Sequence, residues 1–273
     1  MKLAISNIAW RKEEELAMAD LFVQMGIRGV EVAATKIWEN PTETTDAEIM
    51  AYREFWNSHG IEIVALQSLL FGKIGLTMFG SESSRREMAD YLKRMVVLAA
   101  SLGAKILVFG SPKNRQKGNL SSHDAVGVAR EFFLEVGTFA ASYGVRLCIE
   151  PNARKYACDF IMTAMEGREL IELVDSPGFG LHLDLACMML ENENIPETLK
   201  DNISFLHHVH MSAPDLGDVA KISKSNISSF LSTLAQNNYR HWVSIEMREQ
   251  AALPQGNFEF VKNALKAVLL QSA

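Results

Sequence analysis

The chain has 273 residues, 48% of them hydrophobic and 22% charged, with a formal net charge of −6. It can therefore bury a large core without covalent staples, and the lack of long Lys/Arg tracts argues against a nucleic-acid partner held through phosphate contacts. Three cysteines, Cys148, Cys158 and Cys187, exclude a disulfide framework or a Cys-based zinc site and point to a reducing compartment, the cytoplasm. No apolar run reaches the roughly 18 to 20 residues of a membrane span, and the N-terminal MKLAISNIAW runs into RKEEE without a leader-type apolar stretch.

Along the chain, short β-branched or Leu-rich runs alternate with longer segments of helical spacing. Strands are predicted near Leu3–Ser6, Gly29–Val32, Glu62–Leu66, Lys105–Phe109, Arg146–Glu150, Gly180–Asp184, Leu206–His210 and Trp242–Glu246. Between them, Met88, Tyr91, Leu92, Met95, Val96, Ala99 and Leu102 follow the i, i+3, i+4, i+7 rule over 86–102, and Phe132, Phe133, Val136, Phe139 and Ala140 form one face of the next helix. Gly26, Gly60, Gly103 and Gly144 fall where a helix must stop and a strand begins. Strands joined by crossover helices form a parallel sheet. Eight such units in a chain of this length favour a single (β/α)8 TIM barrel, one domain over 1–273, and no GxGxxG follows the first strand to suggest a dinucleotide-binding sheet.

Barrels of this kind place their chemistry at the C-terminal strand ends. Four successive predicted strands end in Glu150, Asp184, His210 and Glu246. Three ionised carboxylates crowded together repel one another, so some must take protons or a cation must neutralise them. An oxygen-rich donor set with one imidazole suits Mn²⁺ or Mg²⁺, with Co²⁺ and Zn²⁺ also admissible.

The segments IEPN at Glu150, HLDLA at Asp184, HVHMSAPD at His210 and SIEM at Glu246, in this order along a barrel, resemble the xylose-isomerase-like sugar phosphate isomerase/epimerase superfamily. SNIAW after the first strand and GVEV around Glu31 are similar to the family's early motifs. The resemblance implies that Glu150, Asp184, His210 and Glu246 hold one divalent metal. It further implies that Glu150 and Glu246 exchange a proton with substrate from opposite sides, through a metal-stabilised enediolate. The implied activity is isomerisation or epimerisation of a sugar, sugar phosphate or related hydroxy-carbonyl compound. The alternative is a lyase that dehydrates a cyclic polyhydroxy ketone such as an inosose or dehydroshikimate. One position departs from the ketose 3-epimerases: the histidine three residues after the metal-binding aspartate is Cys187 here.

Further candidates surround these four. Glu31, Arg115, Arg154, His182 and Arg248 are the substrate-side candidates, and the basic ones, with Lys155, suggest an anionic group on the substrate. By period-2 alternation His182 and His208 lie one layer below the strand ends, as orienting groups or polar core, whereas His207 should face the helices. The expected partner is a small carbohydrate-like molecule rather than nucleic acid or membrane, with a homo-oligomer as an open expectation.

Overall fold

The computed structural model describes residues 1–271. Eight parallel strands close into one barrel in sequence order: β1 Lys2–Ser6, β2 Gly29–Ala33, β3 Glu62–Gln67, β4 Ile106–Phe109, β5 Arg146–Ile149, β6 Phe179–Asp184, β7 Leu206–Ser212 and β8 Trp242–Glu246. Each predicted strand is present, with shifted ends. The β5 ladder assignment stops one residue before Glu150, and β7 runs two residues past His210 to Ser212.

The helices begin and end where local chemistry dictates. Ser81 and Ser121 cap Glu82–Leu102 and Ser122–Ser142 by accepting from Ser84 N and Asp124 N, satisfying amides that the first turn leaves free. At the other end Gly103 adopts φ +88°, a left-handed conformation that costs a residue with a side chain far more, and Ile106 opens β4 three residues later. The faces these helices bury pack against the outside of the barrel, where Trp10, Phe22 and Trp56 form a fully buried aromatic cluster with ring centroids 5.5 to 6.5 Å apart. A second, smaller core of Ala4, Val64, Ala65, Ile106, Val108 and Cys148 fills the barrel interior, with Trp242 against it. No helix among the described residues is long and apolar enough to cross a membrane.

One register irregularity overturns a sequence expectation. On β6 and β7, Leu181 pairs with Leu206 but His182 pairs with His208, so β7 carries one extra residue there. The bulge breaks the alternation at His207, which does not face the helices. It contacts Arg146 Nη1 through its ring nitrogens at 2.7 and 2.8 Å and lies beside His241, among residues at the N-terminal strand ends, away from the C-terminal rim.

Helix Ser122–Ser142 lies tightly against Gly178, just before β6. A methyl group there would overlap the carbonyl oxygen of Gly137 in helix Ser122–Ser142. The Gly178→Ala variant is therefore expected to lose roughly 1–3 kcal/mol, the usual cost of overpacking, read as a lower denaturation midpoint in urea.

Candidate active site

Parallel strands of a closed barrel all present their C-terminal ends at one rim, so residues that alternate inward there converge. Asp184 ends β6 opposite His210 in register, His210 pairs with Ser244, and Ser212 pairs with Glu246. The donor atoms of Glu150, Asp184 and His210 lie within 4.8 Å of one another. Glu246 joins them through Oε2, 3.2 Å from His210 Nδ1.

Each of these side chains is held by neighbours. Asp184 caps the short helix Leu185–Leu190, accepting from Cys187 N at 2.7 Å, and its other oxygen accepts from the Ser212 hydroxyl. The Glu150 carboxylate rests on Gly110, where an added methyl would collide with Oε2. His210 points Nε2 at the two oxygens of Glu31, 3.0 and 3.1 Å away, which leaves Nδ1 toward the rim, facing Glu246. A carboxylate behind a ligating imidazole fixes its ring and directs the free nitrogen outward. Ser244 completes the support by donating to Glu31 Oε2 at 2.6 Å.

The electrostatics follow from crowding. Burial, then the charges of Asp184 and Glu246, push the Glu150 carboxyl up to about 8, against the pull of His210 and Asn152. Burial and Glu246 likewise raise Asp184. Burial alone would strip His210 of its proton, but Glu31 and Glu246 on either side hold its affinity well above the usual imidazole range. Burial would also raise Glu31, yet His210 and His208 hold it well below the usual carboxylate range. The rim thus carries more negative charge than the chain neutralises without taking up protons. An oxygen-rich set with one outward imidazole nitrogen fits a divalent cation, and Glu150, Asp184, His210 and Glu246 are the residues that would hold it.

The other sequence candidates fall in different places. Arg248 lines a cavity of about 1160 Å³ that opens over Glu150, Asp184 and Glu246. Arg115 does not: the turn Pro112–Arg115 folds it inward until it is fully buried, donating to Glu150 O at 2.6 Å and Asn152 Oδ1 at 2.8 Å. It clamps the backbone of Glu150 and is out of reach of a substrate anion. Arg154 points away to pair with the carboxylate of Glu191. Glu31 and His182 are fully buried below the strand ends, so neither meets a substrate in the cavity. The ring of His182 packs against those of His210 and His208, with centroids 4.1 and 5.5 Å away, and burial followed by those two neighbours keeps its proton affinity well below normal. Ser212 and Ser244 were not singled out from sequence, although His208-x-His210-x-Ser212 and Ser244-x-Glu246 alternate inward and carried the signal.

A closed parallel barrel with an acidic, imidazole-bearing group at its C-terminal rim, open to a ligand-sized cavity, defines a class of barrel proteins that work on small polar molecules at the strand ends. The particular family is shown by a family model described as the xylose isomerase-like TIM barrel, which matches residues 19–264; the chain belongs to that family. A probable ketose 3-epimerase from Synechocystis sp. is 26% identical over 257 residues, covering 90% of this chain and 84% of that protein. Among solved structures, a 3-keto-D-glucoside 4-epimerase from E. coli superposes with a TM-score of 0.79 at 18% identity, covering 99% of this chain and 98% of that one. The IolI protein with a bound zinc atom superposes with a TM-score of 0.75 at 18% identity, covering 100% and 98%.

Two outcomes test the site. Gly110→Ala should displace only the far end of the Glu150 side chain, so Mn²⁺ affinity by calorimetry is expected to fall roughly 10–100-fold, as when a ligand loses its support, while the melting temperature of the metal-free protein barely moves. The second is a pH dependence. A carboxyl raised from 4.5 to about 8 stabilises the fold fully below its unfolded value and loses that contribution as pH rises through 8. Metal-free protein should therefore lose stability across that range while ion affinity rises; in Glu150→Gln the slope of melting temperature against pH is expected to flatten.

Proposed function

We propose that this protein is a divalent-metal-dependent isomerase or epimerase of a sugar or related hydroxy-carbonyl compound, acting by proton exchange at the carbon beside the carbonyl. The observation that carries this reading is the pair Glu150 and Glu246, brought from β5 and β8 to one group with Asp184 and His210 at the base of one cavity. Strands β5 and β8 are separated by two others round the barrel, so the two carboxylates approach a common ligand from different sides. The names of the relatives support it: one is a probable ketose 3-epimerase, one a 3-keto-D-glucoside 4-epimerase, and the IolI barrel holds zinc.

A divalent ion, when bound, supplies Lewis-acid polarisation of the carbonyl and offsets the negative charge that develops on its oxygen. The chain does the rest. One glutamate takes the proton from carbon on one face, leaving the bonding pair in the conjugated anion, and the other delivers a proton to the opposite face; the roles reverse in the back reaction. Burial, with the charges of Asp184 and Glu246, raises the proton affinity of Glu150 in the metal-free site, and a bound cation would offset those charges and favour the carboxylate that accepts a proton. Glu31, through Nε2 of His210, and Arg115, through the carbonyl of Glu150, keep two of the four donors in place before substrate arrives.

The test is deuterium wash-in from D₂O, followed by NMR, over a panel of ketoses and keto-glycosides. Exchange at the carbon beside the carbonyl is expected with the Mn²⁺-restored protein and not after chelation. Glu150→Gln and Glu246→Gln should each lower it by roughly 10²–10⁴-fold, the usual worth of a positioned acid or base. Undiminished exchange in both variants would sink the proposal.

A further inference from the structure

The outer wall of the cavity is unlike its base. The segment after β3 presents Phe71 at 74% and Ile74 at 89% relative exposure, and both line the same cavity as Glu150, Asp184 and Glu246, with Leu70 and Leu216 alongside. Two large apolar side chains left in water at a polar site are costly unless something covers them.

This segment is pinned to the rim. Asn114, nearly buried in the following β4 loop, donates through Nδ2 to Lys73 O at 2.8 Å and Leu76 O at 2.7 Å, and its own carbonyl accepts from Met78 N at 2.8 Å. Turn bonds from Phe71 N to Ser68 O and from Lys73 N to Leu70 O fix the stretch between. Folding Phe71 and Ile74 over the site as a cover would break the Asn114 pair. The apolar wall is thus a fixed surface of the open cavity.

Size points the same way. A volume of about 1160 Å³ exceeds the roughly 300–1,000 Å³ that holds a drug-sized ligand, so a free six-carbon sugar leaves most of it unfilled. Most of the cations named from sequence are spent: Arg115 is buried, Arg154 pairs with Glu191 and Lys155 pairs with Asp215 at 2.6 Å, which leaves Lys73, Lys113 and Arg248 as cations lining the cavity for which no acidic partner is found among the described residues.

We propose that the substrate is a sugar carrying a glycosidic substituent with an apolar face, an aryl glycoside rather than a free monosaccharide, and that Phe71 and Ile74 form the subsite for that substituent. This rests on the isomerase/epimerase reading for the position of the sugar, which the four rim residues would hold at the base. The aglycone then extends outward along the wall, and an aromatic ring gains both burial and ring contact with Phe71.

The test separates binding from turnover. Affinities of methyl and phenyl 3-keto-glucosides for the Mn²⁺-loaded protein are measured by calorimetry, with deuterium wash-in on the same samples. The phenyl compound is expected to bind about tenfold more tightly, as burial of one ring face predicts. In the double variant Phe71→Ser/Ile74→Ser the two should bind within about twofold of each other, with the melting temperature unchanged because both side chains are exposed. Equal affinities in the wild type, or a phenyl preference that survives in the variant, would overturn the subsite. So would light scattering that shows a dimer lost on the same substitutions, since a second copy would then cover the wall. A phenyl preference without deuterium exchange in either compound would overturn the reaction and leave the subsite standing.

Discussion

The structure turns on an excess of negative charge that the barrel geometry creates. Closure brings the ends of β5 to β8 to one rim, where Glu150, Asp184 and Glu246 meet with a single imidazole between them. His210 is claimed from two sides, by Glu31 at 3.0 Å and by Glu246 at 3.2 Å, and one ring cannot neutralise four carboxylates. Without a cation the group can only hold protons, which is why Glu150 and Asp184 are raised and His210 keeps its charge. Repulsion of this kind costs stability and is retained where it prepares a binding step.

Preorganisation is built into the backbone around that group as much as into the donors. Arg115 is buried without an acidic partner among the described residues, and two of its nitrogens find no hydrogen bond. Its one well-used nitrogen reaches Glu150 O and Asn152 Oδ1 together, tying the residue that follows β5 to the loop that follows β4. Gly110 in that same loop leaves room for the Glu150 carboxylate. The loop after β4 therefore contributes a clamp and a void to the site.

Much of this was legible from local pattern. Period-2 alternation and the crossover rhythm are local properties, so the eight strands and the placement of Glu150, Asp184, His210 and Glu246 at one rim could be read residue by residue. What escaped were features set by pairing between distant segments. The bulge at His207 is visible only in the register of β7 against β6. Glu31 reads as a rim residue from its place near the end of β2, but the partner that captures it, His210, is 179 positions away. Arg115 and Arg154 look like anion binders when counted as cations, and only the fold reveals that one is turned inward and the other is spent on Glu191.

The same contrast explains how reactivity and recognition are divided in the cavity. At the base three of the four rim residues are held by neighbours: Ser212 holds Asp184, Glu31 holds His210, and the Arg115 bond to its carbonyl holds Glu150. Positions fixed this tightly favour one arrangement of reacting atoms and tolerate little variation in them. Cys187, where the ketose 3-epimerases carry a histidine, lines the cavity without a strong donor, and burial, Asp184 and Glu150 all raise its thiol's hold on the proton, so it offers a sugar hydroxyl little. Above the base, polar side chains such as Lys73, Lys113 and Arg248 line the cavity beside the apolar area of Phe71 and Ile74. Apolar contact is weakly directional, so on the proposed reading such a wall would select by size and hydrophobicity while the base would decide which carbon reacts.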